Sequence, residues 1–108
     1  VSEVADRRAK REAWLREQAR LIILKELAQD VSGSSTSDWL EKVLRDEFGI
    51  PRDRPWVHAQ LDYLAEMGAV SVREAGSVKI AVLLRMGKRH VDREIVIEGV
   101  QRPSLPEV

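Results

Sequence analysis

DRPWVHAQLDYLAEMGAVSVREAGSVKIAV, residues 53–82, changes its period half-way along, and that change decides the fold. Asp53 suits a helix N-cap, and Pro55 suits a first turn, where a missing N–H costs nothing. Val57, Leu61 and Leu64 recur at helical spacing, and Gly68 stops the helix. Beyond it, Val70 and Val72 alternate with Ser71 and Arg73, and Val78, Ile80 and Val82 alternate with Lys79 and Ala81. Ala75-Gly76-Ser77 lies between them as a turn signal. The pattern predicts a helix followed by a two-stranded hairpin with one apolar face.

Upstream, a segment from about Val4 to Gln29 contains neither glycine nor proline and is built of strong helix formers. Leu15, Ala19, Ile22, Ile23 and Leu27 mark its apolar stripe, and a helix of this length runs roughly 37 Å. Its first half is charged, with alanines at 5, 9 and 13, and projects or packs on a partner. Val31 to Ser37 break the helix, and Ser35 with Asp38 resembles a capping box. A second helix is expected over Ser37–Phe48, with Trp39, Leu40, Val43, Leu44 and Phe48 apolar and Gly49 at its end. Downstream, a short helix is expected over Arg85–Arg93, a strand over Ile95–Ile97, and an extended tail.

Helix, helix, helix, hairpin is the order of a winged helix-turn-helix, in which the hairpin covers the open side of three helices. The expected class is therefore α+β and mostly helical, with a long N-terminal helix and a two-stranded wing. The expected organisation is a helical extension over 1–18, a winged-helix domain over 19–98 and a tail over 99–108.

The chain has 108 residues, enough for one domain with a modest core. No apolar run is long enough for a membrane span, and the charged start has no secretory pattern. With no cysteine there are no disulfides or thiolate ligands, which fits a cytoplasmic setting. Eighteen basic residues balance eighteen acidic ones. The distribution is uneven. Residues 32–72 carry four basic and seven acidic groups, whereas residues 73–93 carry six basic and two acidic. His58 and His90 belong to different elements and have no carboxylate helpers at ligand spacing, so they read as surface or helix-rim residues. No metal or cofactor is expected. No Gly-x-Ser-x-Gly elbow, phosphate loop or dinucleotide glycine pattern is present, and Ser34, Ser35 and Ser37 read as loop and cap residues.

Four pieces carry a family resemblance: Arg20-Leu21-Ile22-Ile23-Leu24-Lys25-Glu26-Leu27, Leu61-Asp62-Tyr63-Leu64-Ala65-Glu66-Met67-Gly68-Ala69-Val70, Leu83-Leu84-Arg85-Met86-Gly87-Lys88-Arg89-His90-Val91, and Gly99-Val100-Gln101-Arg102-Pro103-Ser104. Over roughly residues 20–106 the chain resembles the small winged-helix proteins of Mu-like phages and prophages, often labelled ArsR-like regulators. The last piece is the most specific. The resemblance implies a winged-helix fold and a phage origin. One departure is Leu84, where such proteins carry a threonine that caps the helix after the wing.

On this reading the third helix is the recognition helix of a DNA-binding regulator acting as a homodimer. Gln60 would meet a base edge, Arg52 and Arg54 phosphate or guanine, with Trp56, His58 and Tyr63 close by. Arg73 and Lys79 on the wing would contact the double-stranded DNA backbone. Ala9, Ala13, Trp14 and Leu15 would form the dimer contact. The alternative is a protein-interaction module with Trp56 and Tyr63 as its anchor. The acidic balance of residues 32–72 favours that alternative. Asp53, Asp62 and Glu66 on the same helix repel phosphate and favour a plainer reading, in which Trp56 and Tyr63 are packing residues at the rim of the core and the arginines are solvated.

Overall fold

In the computed structural model, which describes residues 2–105, Ser2 starts the first helix by accepting the N–H groups of Val4 and Ala5 on its hydroxyl. Helix α1 then runs unbroken over Glu3–Gln29. Glu3 and Asp6 in its first turn favour the positive end of the helix dipole. Its buried residues are Leu15, Ala19, Leu21, Ile23, Leu24 and Leu27. Packing thus begins at Leu15, inside the expected extension. Ile22, placed in the expected stripe, is only half-buried, while residues 2–11 are all exposed.

Asp30 turns the chain by accepting both the N–H and the hydroxyl of Ser32. A strand follows that the sequence reading did not contain: β1, Ser34–Thr36. It pairs antiparallel with the hairpin's second strand, Ser34 opposite Val82 and Thr36 opposite Ile80. Helix α2, Ser37–Phe48, starts immediately after it and ends at Gly49, whose φ of 67° is the left-handed conformation that glycine adopts freely. The expected capping box does not form. Thr36 is the N-cap and makes no side-chain cap bond, and Ser37 is turned into the interior.

Helix α3, Arg54–Glu66, is capped by Asp53, whose carboxylate accepts the Trp56 N–H at 3.0 Å. Val57, Leu61 and Leu64 are fully buried, as expected. Strands β2, Val70–Ala75, and β3, Val78–Leu83, form the hairpin, and the sheet order is β1-β3-β2. The single apolar face needs correction. Val72 lies opposite Ala81 and Arg73 opposite Ile80. Val70, Val72 and Ala81 therefore face the core, and Val78, Ile80 and Val82 lie half-buried on the outer face with Arg73.

Helix α4, Arg85–Val91, is shorter than expected and forms with Leu84 at the N-cap and no side-chain cap. Its Gly87 sits against the Ala69 carbonyl and the Leu83 side chain, where a Cβ has no room. Residues 95–97 do not form the expected strand. They are held instead by His90. That histidine is fully buried, not a rim residue; its Nδ1 accepts the Ile97 N–H at 3.0 Å, and its Nε2 donates to the Gln101 carbonyl at 2.9 Å. Ile97 and Val100 join the main core. The Gln101 N–H reaches the Glu17 carbonyl on α1. The start of the expected tail is thus packed structure, and residues 106–108 of that tail lie outside the described residues.

Candidate functional site

The outward face of α3 presents small and acidic side chains. Pro55, Ala59, Asp62 and Glu66 are its exposed residues, spaced three and four apart on one side. The outward placement of Gln60 is corrected: it is 2% exposed. Its carboxamide oxygen accepts from Arg20 Nε at 3.0 Å, and its nitrogen donates to the Trp56 carbonyl. Tyr63, half-buried, joins the same network. Its hydroxyl donates to the Glu98 carbonyl at 2.6 Å, and the Arg20 guanidinium stacks on its ring. Burial pulls the Arg20 pKa below its ordinary value, with Tyr63 opposing that shift. Trp56 is half-buried against the core, with Arg52 5.7 Å from its ring centre.

The cations assigned to DNA are mostly neutralised within the chain. Arg52 pairs with Glu12 of α1 at 2.5 Å. Arg54 lies 3.6 Å from Glu41 of α2 and donates to Ser77 in the hairpin turn. Lys79 pairs with Asp62 at 2.7 Å. Arg73 alone of this group has no ion pair among the described residues. It is exposed on the outer sheet face and lines a shallow depression with Ile80, Thr36, Trp39 and two carboxylates, Glu26 and Asp30. A phosphate approaching Arg73 meets those two negative charges as well.

His58 belongs to a polar cluster that sequence reasoning missed. Its Nε2 lies 2.8 Å from the hydroxyl of fully buried Ser37, and that oxygen also accepts the Lys79 N–H at 2.9 Å. The cluster ties α2, α3 and β3 together. Burial first, then the Lys79 charge, lowers the His58 pKa below its ordinary value of 6.5. A serine and a histidine at this distance form the first two members of a nucleophile–base set. Here the serine is closed to any substrate, and the carboxylate that acts most on the ring, Asp62, is occupied by Lys79. The one local signal for the cluster is Ser37 at the strand-to-helix junction.

The four residues assigned to a dimer contact do not share a surface. Leu15 is buried in the chain's own core, whereas Ala9 is exposed on the arm. Trp14 is 54% exposed, five residues and about 140° around the helix from Ala9. Beside Trp14 runs a groove along α1, walled on one side by Phe48 and further along by the chain at Gln101–Ser104. Gln18 and Ile22 lie along its length.

Among the described residues no three His, Cys, Asp or Glu side chains converge as metal ligands would. No described helix is long and apolar enough to cross a membrane. No family model matches the chain, and no curated protein or solved structure is significantly similar to it. The assignment of function therefore rests on the geometry.

Proposed function

We propose that this chain is a winged-helix protein that works as a protein-interaction module and does not read DNA bases through its third helix. The element order α1-β1-α2-α3-β2-β3-α4 and the sheet order β1-β3-β2 support the winged-helix reading. The resemblance to the Mu-like phage proteins supports the same reading. Its most specific piece has a physical meaning in this chain. Gly99 has φ 80° and no space for a Cβ against Tyr63, and Val100 fills the core.

One observation carries the functional choice. The exposed face of α3 presents Asp62 and Glu66, while Arg52, Arg54 and Lys79 are each held by a carboxylate of the chain itself. A helix entering the major groove needs free donors and a positive surround. This one has acceptors and small residues. The groove beside Trp14 and Phe48 offers the exposed aromatic area that protein interfaces favour.

A second reading has its own observation. Arg7, Arg8, Lys10, Arg11, Arg73 and Arg85 are exposed cations with no ion pair among the described residues, and they would suit nonspecific contact with a phosphate backbone. Fluorescence anisotropy with duplex DNA over a range of salt separates the two. The interaction-module reading expects no saturable binding at moderate salt. Micromolar binding with a steep negative salt slope, lost on Arg73→Glu with Arg85→Glu, would establish the second reading in its place.

A further inference from the structure

The groove along α1 combines three features that together specify an occupant. The first is exposed aromatic surface. Trp14 and Phe48 are each 54% exposed, although they flank the well-packed residues Leu15 and Ile50. Large aromatics left open beside well-packed core residues mark a contact surface. The second is shape. Trp14, Gln18 and Ile22 recur along one side of α1, with Phe48 rising from the end of α2 beside them. From Arg11 to Lys25 the groove runs about 21 Å along the helix. This is the form into which an amphipathic segment lays an apolar face.

The third feature is charge. Arg11 stands near one end of the groove, and Lys25 and Arg102 near the other. None of the three has an ion pair among the described residues. Glu26 is the one carboxylate among the residues lining the groove, and its Oε1 accepts the Trp39 indole N–H at 3.1 Å. A symmetric pairing of two copies over this surface, centred on Gln18, would set Arg11 of each against Lys25 of the other. Like charges at that spacing oppose association. The surface calls for a negative partner.

We propose that the α1 groove is the docking site for an acidic amphipathic segment of a partner protein, its apolar residues on Trp14, Ile22 and Phe48 and its carboxylates on Arg11, Lys25 and Arg102. The proposal rests on the interaction-module reading and supplies the partner's chemistry. Binding would weaken with salt, since the rim charges are solvated.

The test is selection from a display library of random peptides about fifteen residues long, the length of the groove at 1.5 Å per residue. The full chain is the target. Enriched peptides are expected to carry Asp and Glu beside apolar residues spaced three or four apart. They should bind about tenfold or more weakly to Arg11→Glu/Lys25→Glu, a change of about 1.4 kcal/mol. Both positions are exposed and unpaired, so the variant retains its fold, which circular dichroism checks. Amide chemical shifts on titrating an enriched peptide should move at residues 11–25 and at Phe48. No enrichment, enrichment without acidic bias, or shifts centred on α3 or the sheet would overturn the proposal. So would a self-association seen in sedimentation equilibrium that Trp14→Ala abolishes, because the groove would then belong to a second copy. DNA binding at the sheet with peptide capture intact would sink the functional reading and leave the groove standing.

Discussion

The Arg20 guanidinium lies 3.7 Å from the centre of the Tyr63 ring, and the two side chains grip consecutive residues of the segment after α4. Arg20 donates to the Gly99 carbonyl at 2.8 Å and Tyr63 to the Glu98 carbonyl at 2.6 Å. The segment at 98–100 is thereby fixed to α1 and α3, which carries Val100 into the core. Arg20→Ala removes two charged hydrogen bonds and a stacked cation, and should cost about 2–4 kcal/mol. Tyr63→Phe removes one hydrogen bond and should cost about 1 kcal/mol. Urea denaturation measures both. A loss for Arg20→Ala no larger than for Arg85→Ala, on an exposed side chain, would show that the clamp carries no stability.

His58 sets a pH dependence whose sign follows from its surroundings. Burial and the neighbouring Lys79 hold its folded pKa below the ordinary 6.5. The unfolded chain therefore takes up the proton first as pH falls. This contribution is complete above about pH 6.5, is lost as pH falls from there to the folded value, and changes no further below it. The urea midpoint should fall between about pH 7.5 and about pH 5, and the His58 part of that fall should vanish in His58→Gln. An unchanged pH profile in the variant would remove His58 from the account.

How much of this was legible beforehand depends on how local each cause is. The Asp53 cap, the left-handed Gly49 and the turn at Gly76 are set by residues within a few positions, and the sequence signals all three. Strand β1 is three residues of serine and threonine with no apolar alternation; it exists because β3 offers a free edge from across the chain. The hairpin faces differ from the sequence alternation by one residue. A three-residue turn at 75–77 would set Val72 opposite Ile80, but the turn has two residues, Gly76 and Ser77, and sets Val72 opposite Ala81. A slip of one residue exchanges the faces. Gln60 and His90 were misplaced for a similar reason. Their partners lie forty positions away on α1 in one case, and on a segment expected to be strand or tail in the other.

Leu84 is a natural place to gain stability. It is the N-cap of α4, with φ −100° and ψ 169°, half-exposed and without a side-chain acceptor for the first turn. Its own N–H already bonds to the Ala69 carbonyl, an interaction any non-proline residue retains. Leu84→Thr should add about 0.5–1 kcal/mol by supplying the missing oxygen. A raised urea midpoint with slower exchange of the α4 amides is the expected result. An unchanged midpoint would mean that close packing at Gly87 already holds the helix without a cap.

The acidic face of α3 makes the strongest claim against DNA, and it can be inverted. Asp62 and Glu66 are exposed one turn apart, and Asp62 also neutralises Lys79 at 2.7 Å. Replacing both acids by lysine changes the local charge by four and frees Lys79 as well. Neither side chain is buried, so the fold should be unaffected. If these carboxylates are what keeps the helix off phosphate, Asp62→Lys/Glu66→Lys should bind nonspecific duplex more tightly than the parent chain does. Its salt slope should correspond to roughly two or three released counterions, at about 0.9 per phosphate contact. A parent that already binds would place the DNA contact elsewhere. A variant that stays inert at low salt would mean that shape, and not charge, closes this surface to DNA.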